Sequence, residues 1–201
     1  MNLKAIEIGM FNTTFENPHG LNDDTKNYST ANDLALLMKY ALKNKEFIKI
    51  ASTKKYKNWL NKNDLLFDYK YLIAGKIGYT KKSGQVYVSA ASKNNKNLII
   101  ASIDENDKYE LHKNLYEKYF ENYKKYKVLN KYTFSFKSKK DNYHYYIKKD
   151  YDVLLTEDEI DKLKIKIDTN NNIINIYIKD KKIHSERLYK VDEKTKKNLI
   201  E

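Results

Sequence analysis

A lysine inside a predicted β-hairpin is the first candidate for chemistry in this chain. Ala74–Thr80 is predicted as a strand, Lys81–Gly84 as a turn and Gln85–Ala91 as the returning strand, because apolar residues alternate along the second segment. Lys76, Ile77 and Gly78 follow one another inside the first strand. Taken alone, a strand lysine is typical of a sheet edge, where its charge prevents unwanted pairing.

Two other spacings could belong to a serine nucleophile. Ser52 and Lys55 have the Ser-x-x-Lys spacing in which a lysine activates a serine. They follow a predicted helix, however, and lysine is frequent enough for this spacing to arise by chance. Ser92 and Asn94 have a Ser-x-Asn spacing inside a predicted hairpin turn. We therefore interpret both pairs as structural.

The cysteine and histidine content argues against thiol, disulfide and metal sites. The sequence contains no cysteine, which excludes a thiol nucleophile and a disulfide. Three histidines lack the spacing of metal ligands, so we expect no metal and no cofactor; they are His112, His144 and His184.

The net charge of +12 could indicate a polyanionic partner, either nucleic acid or an anionic cell wall. Arg187 is the only arginine, however, and an excess of Lys, Asn, Ile and Tyr is what an AT-rich genome produces in any protein. No nucleic-acid recognition motif accompanies the charge. We therefore expect no nucleic-acid partner.

The predicted elements place the lysine strand in a mixed helix and sheet region. Trp59 and Leu60 are expected in its core, and the last helix repeats Leu111, Leu115, Tyr119 and Tyr123 at i+4 spacing. The other elements of this region are a helix over Met1–Gly9, a turn-rich loop over Phe11–Asn27, a helix capped by Ser29 or Thr30, a short helix over Lys45–Ala51, a strand and turn over Lys54–Leu66, a buried strand over Leu98–Ile103 and the long helix Asp107–Tyr126.

Beyond residue 127 the hydrophobic period changes from helical to two. Several short strands separated by polar turns are typical of a small antiparallel β-sandwich or barrel. We therefore predict two domains, residues 1–127 and residues 128–201.

Four stretches of the first region, in the same order, resemble the D-alanyl-D-alanine carboxypeptidases, the low-molecular-mass penicillin-binding proteins of peptidase family S11. The stretches are Gly9–Leu21 with its Asn-Pro-His-Gly-Leu run, Tyr28–Leu37 with Tyr-Ser-Thr-Ala, Gly75–Gly84 with Gly-Lys-Ile-Gly-Tyr-Thr, and the strand residues 89–91 and 98–99. The resemblance covers about the first 125 residues.

The resemblance implies an α+β fold: a partial transpeptidase-like, or β-lactamase-like, domain with an antiparallel sheet and helices, followed by a small β-sandwich domain. It implies that Lys76 is the catalytic lysine of a Lys-Thr-Gly box. Residues implied in substrate binding are Ile77, Gly78, Thr80 and Lys108. The family mechanism uses lysine, so His19 is interpreted as part of a structural loop.

Two substitutions depart from the family pattern. Ile77 replaces a threonine whose hydroxyl helps to hold the substrate carboxylate, and a hydrogen bond to a charged group contributes roughly 1.5–3 kcal/mol. Lys108 replaces an arginine, which can hold a carboxylate in a bidentate fork as lysine cannot. Both changes weaken carboxylate binding.

The family nucleophile, in Ser-x-x-Lys, and its Ser-x-Asn loop belong before the region that this chain matches. The chain is therefore interpreted as the C-terminal portion of a serine-type enzyme that trims the terminal D-Ala from peptidoglycan stem peptides and binds β-lactams, inactive without an upstream polypeptide. The alternative is a non-catalytic remnant or an envelope-associated binding module.

The location expected from the family differs from the one expected from the printed residues. The family is extracytoplasmic and belongs to the cell envelope. The printed chain shows no signal peptide and no run of 18 apolar residues, and as given it is expected in the cytoplasm. Its strands between Ala74 and Ile103 are expected to expose apolar surface and an unpaired edge.

Overall fold

The computed structural model describes residues 1–21 and 26–192. The chain divides into two compact units, Met1–Phe120 and Glu121–Glu201. The α+β class and the antiparallel sheets expected from the sequence are confirmed. The prediction that residues 1–127 and 128–201 are separate domains stays a prediction.

The first unit places its helices around one hairpin-rich sheet. Its elements are α1 (Asn2–Glu7), α2 (Ala31–Ala41), α3 (Lys45–Ala51), β1 (Lys55–Tyr56), β2 (Trp59–Leu60), α4 (Leu65–Asp68), β3 (Leu72–Thr80), β4 (Gly84–Lys93), β5 (Lys96–Ile103) and α5 (Lys108–Asn122). The main sheet is antiparallel in the order β3-β4-β5, and β1 pairs with β2 as a separate hairpin.

Local capping explains where α2 and α3 begin. The Thr30 hydroxyl accepts the Asp33 N–H at 3.1 Å, and the Asn44 side chain accepts the N–H groups of Glu46 and Phe47. Such caps satisfy amide donors that the first helical turn leaves unpaired. Thr30, one of the two caps that the sequence predicts for α2, is thus confirmed.

The buried carboxylate of Asp33 holds the preceding loop against α2. It accepts the Asn12 N–H at 2.9 Å and the Thr13 hydroxyl at 2.7 Å. These bonds, the Thr13 hydroxyl first, lower the pKa of Asp33 below its usual value.

The main sheet is covered on both faces by side chains that alternate along β4. Ala90 packs on one face with Ala74 of β3 and Met38 of α2. Tyr87 and Ala91 pack on the other face in a cluster that also contains Leu65, Leu66, Tyr69, Leu72, Tyr116 and Phe120. The period of two along a strand produces this division.

The buried face of α5 lies one position beyond the i+4 repeat that predicts the helix. His112, Tyr116 and Phe120 are buried, whereas Tyr119 is exposed. Ser89 of the sheet pairs with both His112 and Tyr116, which turns this face of the helix inward.

Trp59 and Leu60 are also not core residues, and that prediction was wrong. They are 79% and 66% exposed. Their strand belongs to a hairpin of two-residue strands, which is too short to bury its own side chains.

The expected edges and exposed apolar residues of the main sheet are present. Among the described residues, neither β3 nor β5 pairs with a further strand on its outer edge. Tyr79 of β3 is 66% exposed and Ile103 of β5 is 39% exposed. Four of the ten residues of β4 are buried and the other six are half-buried, whereas β3 also exposes Lys76 and Gly78.

The second unit consists of short antiparallel strands around a core of its own. Three small sheets, β6-β9, β7-β8-β13 and β10-β11-β12, are present in the described part. The core residues are Leu129, Tyr145, Ile147, Ile174, Ile176 and Leu188. The elements are β6 (Lys124–Leu129), β7 (Ser135–Lys137), β8 (His144–Tyr146), β9 (Tyr151–Leu155), α6 (Glu157–Ile160), β10 (Leu163–Asp168), β11 (Ile173–Ile178), β12 (Lys181–Arg187) and β13 (Tyr189–Val191).

No helix within residues 1–21 and 26–192 is both long and apolar enough to cross a membrane.

We expect Gly84→Ala to lower the free energy of unfolding by about 1–2 kcal/mol. Gly84 has φ +63°, and a Cβ there would lie 2.0 Å from the Asp104 carboxylate and 3.1 Å from its Cα. Chemical denaturation of the full chain measures the loss. Gly78→Ala is the matched control, because the nearest atom to its added Cβ is 4.0 Å away. An equal loss in both variants would contradict the explanation.

Candidate active site

The candidate site is the outer part of strand β3. Lys76 lies opposite Val88 of β4, and Gly78 lies opposite Val86. With Ala74 they belong to the face of the sheet that packs on α2, because every second residue of a strand points the same way. The structure therefore brings Lys76 and Gly78 to one face of an edge strand.

Lys76 is exposed, and its ammonium donates to the carbonyl of Ile77 in a short hydrogen bond. Gly78 is exposed, and the atom nearest to an added Cβ would be Val86 Cβ at 4.0 Å. A cation next to a strip of bare backbone can hold the carboxylate of an extended peptide while the peptide lies along the strand.

Ile77 faces the opposite side of the sheet. It lies opposite Tyr87 and packs against the buried cluster that contains Tyr116 and Phe120 of α5, called here the α5-side cluster. Its side chain is therefore not brought together with that of Lys76. Its proposed contact with substrate stays a prediction.

Thr80 and Lys108 have local partners. The Thr80 hydroxyl bonds Ser83 Oγ at 2.7 Å and accepts the Ser83 N–H at 3.0 Å, which closes the β3–β4 turn. Lys108 begins α5 and is 9% exposed, with Nζ 4.5 Å from the centre of the Tyr109 ring. Thr80 therefore lies at the β3–β4 turn, and Lys108 lies at the start of α5 and not on β3.

The two alternative serines occupy structural positions. Ser52 caps the C-terminus of α3 and donates to the Lys49 carbonyl at 3.3 Å. Ser92 lies near the end of β4, where its backbone N–H donates to the Tyr71 carbonyl at 2.8 Å. In the next residues Asn94 has φ +52° in the β4–β5 turn.

His19 is exposed within the Asn-Pro-His-Gly loop, and its Nδ1 accepts the Leu21 N–H at 3.1 Å. Within residues 1–21 and 26–192, no three His, Asp or Glu side chains are grouped as metal ligands.

A buried polar cluster behind β3 was not predicted. His112 is bonded on both ring nitrogens, to Ser89 Oγ at 2.7 Å and to Ser102 Oγ at 3.0 Å, and Ser89 also bonds the Tyr116 hydroxyl at 2.7 Å. Tyr87 stacks on the imidazole with ring centres 4.4 Å apart. The spacing of His112 and Tyr116, four residues apart on one helix face, was the available signal.

Ser89 and His112 are paired as a serine nucleophile and its base would be, but a substrate cannot reach them. Ser89 and His112 are fully buried, so no peptide can reach either. Burial lowers the pKa of His112 to about 4, which keeps the ring neutral, with one nitrogen donating and one accepting. We therefore interpret the cluster as a structural link between α5 and the sheet.

Gly75 is where this cluster meets β3. The Tyr87 hydroxyl donates to Asn63 Oδ1 at 2.8 Å, and an added Cβ on Gly75 would lie 2.4 Å from Asn63 Nδ2. Glycine at this position lets the buried asparagine and tyrosine come close to the strand backbone.

The fold is that of penicillin-binding carboxypeptidases. The carboxypeptidase DacD from Francisella tularensis superposes with a TM-score of 0.70 at 19% identity, over 95% of this chain and 66% of its own. Penicillin binding protein 5 from Haemophilus influenzae superposes with a TM-score of 0.69 at 22% identity, over 95% of this chain and 63% of its own.

Sequence similarity then defines the family. The family profile described as Peptidase S11, D-alanyl-D-alanine carboxypeptidase, matches residues 1–107. The D-alanyl-D-alanine carboxypeptidase DacF of Bacillus subtilis is 36% identical over 110 residues, which are 49% of this chain and 28% of DacF. The chain belongs to the D-alanyl-D-alanine carboxypeptidase family, as the four sequence stretches indicate. It spans less than a third of the length of DacF.

We expect acid to destabilise the chain through His112. The unfolded chain takes up this proton near pH 6.5 and the folded chain only near pH 4. The unfolded state therefore binds more protons between these values, and the free energy of unfolding falls as the pH falls, by up to about 3 kcal/mol.

Urea unfolding between pH 7 and pH 4 measures this dependence. His112→Gln should flatten it, whereas His19→Gln, which replaces an exposed histidine, should leave it unchanged. Equal slopes for the parent and His112→Gln would show that carboxylates alone cause the acid dependence.

Proposed function

We propose that this chain supplies the substrate-binding strand of a serine-type D-alanyl-D-alanine carboxypeptidase of the cell envelope. The observation that carries the proposal is the placement of Lys76 and Gly78, both exposed, on one face of an edge strand. The substrate would be the D-Ala-D-Ala end of a peptidoglycan stem peptide, and a β-lactam would occupy the same place. Family membership supports this substrate class.

In the proposed reaction a serine attacks the carbonyl of the penultimate D-Ala, releases the terminal D-Ala and forms an acyl-enzyme that water hydrolyses. Lys76 would offset the charge of the substrate carboxylate beside that serine. Neither Ser52 nor Ser92 has a placement that favours the nucleophilic role. We therefore propose that the 201 residues are inactive alone and that a further polypeptide segment brings the Ser-x-x-Lys and Ser-x-Asn groups.

A non-catalytic role is the second candidate. It is favoured by Ile77, which has no hydroxyl and packs into the α5-side cluster, and by the position of the Lys108 ammonium over the Tyr109 ring. In that case the chain would be a remnant of an enzyme or a binding module of the envelope.

We also propose a division of the chain into two domains. Residues 1–127 would form the carboxypeptidase part and residues 128–201 the β-rich domain. The family match to residues 1–107 and the separate hydrophobic core after residue 127 support this division.

We expect a fluorescent penicillin to leave the 201-residue chain without a covalent adduct, because loss of a serine nucleophile costs about a million-fold in rate. Intact mass spectrometry after prolonged incubation is the measurement. A stoichiometric adduct would disprove inactivity, and Ser52→Ala would then test whether that serine carries it.

The site itself is tested in a chimera. The part of DacF that precedes its matched segment is joined to Met1 of this chain, and penicillin acylation is timed. We expect acylation that falls at least about a hundredfold in Lys76→Ala. Lys81→Ala, in the adjacent turn, is the control. A folded chimera that is never acylated would favour the non-catalytic alternative.

A further inference from the structure

The β1–β2 hairpin presents large apolar side chains to solvent. Tyr56 is 67% exposed, Trp59 79% and Leu60 66%, and Tyr56 lies directly opposite Trp59. Ile50 of α3, which is 66% exposed, lines the same open depression of about 390 Å³. Exposed apolar groups gathered at one place are typical of an interaction surface.

Hydrogen bonds from Asn61 close the base of the hairpin. The Asn61 N–H donates to the Lys54 carbonyl at 2.9 Å, and Asn61 Nδ2 donates to the Thr53 carbonyl at 3.0 Å. Lys57 has φ +53° in the turn between the strands. The apolar side chains are thus presented by an ordered loop, which reduces the ordering cost of binding.

Positive charge surrounds these apolar groups. Residues 52–63 contain no Asp or Glu, and they contain four lysines, all exposed: Lys54, Lys55, Lys57 and Lys62. Lys57 Nζ lies 5.6 Å from the centre of the Tyr56 ring, and Lys54 Nζ lies 5.7 Å from that of Phe67. The partner that complements this charge is anionic.

We propose that this hairpin docks on the surface of an anionic lipid bilayer. Tryptophan and tyrosine favour the boundary between headgroups and acyl chains, and lysines bind acidic headgroups while their methylene stems stay near the apolar region. Leu60 and Ile50 favour acyl chains over a glycan or a nucleic acid, since those polymers offer no aliphatic layer. The inference does not depend on catalysis.

Trp59 makes the proposal directly measurable, because it is the only tryptophan of the chain. The full chain is titrated with vesicles of phosphatidylglycerol and phosphatidylcholine in equal parts. We expect Trp59 emission to move to shorter wavelength and lipids brominated on the acyl chain to quench it. Vesicles of phosphatidylcholine alone should bind at least about tenfold more weakly.

Variants separate the apolar and the electrostatic contributions. Leu60→Ser should weaken partitioning about tenfold, and the combined Lys54→Gln, Lys55→Gln and Lys57→Gln variant about tenfold to a hundredfold. Two controls should leave it within about twofold: Tyr132→Ser, which removes an aromatic residue that is 83% exposed, and Lys164→Gln, which removes a lysine of β10.

Three results would overturn the proposal. Sedimentation with the anionic vesicles without a change in Trp59 emission would place the contact elsewhere. An equal emission shift with soluble polyphosphate would make the hairpin a general anion site. A shift that depends on protein concentration without lipid would make a second copy of the chain the occupant.

Discussion

The buried imidazole of His112 is the constraint on which the first unit depends. A buried neutral ring needs a partner at both nitrogens, and Ser89 and Ser102, on adjacent strands, supply them. The bonds set the rotation of α5 against the sheet, which in turn buries Tyr116 and leaves Tyr119 at the surface. The position of the sheet under its helix is therefore decided by hydrogen bonds as well as by apolar area.

Because of this arrangement, one face of strand β3 is buried and the other is partly exposed. On the α5 side Gly75 fits against Asn63, and Ile77 packs into the apolar cluster, so this face is part of the core. On the α2 side the strand becomes exposed after Ala74, where Lys76 and Gly78 lie. The proposed site begins on β3 where the core ends, so the proposed site and the core share one strand.

The surface chemistry is less uniform than the lysine-rich composition indicates. Several lysines are paired with carboxylates, such as Lys93 with Glu117 and Lys127 with Asp150. The hairpin segment 52–63 combines lysines with exposed tryptophan and leucine and carries no acidic residue. A general bias toward lysine accounts for the surface lysines that pair with carboxylates. It does not explain why large apolar residues are exposed within residues 52–63.

The sequence by itself determined the family, the Lys76 strand and the change from helical to strand periodicity, because these depend on local order and on spacing along the chain. It misplaced Trp59 and Leu60 in the core, since apolar residues are not always the buried ones. Only the tertiary structure decided that His112 is buried between two serines, because the pairing of β4 with β5 brings Ser89 and Ser102 to the same helix face. It also decided which face each side chain takes: Ile77 packs against the core on the α5 side, and Lys76 lies on the α2 side.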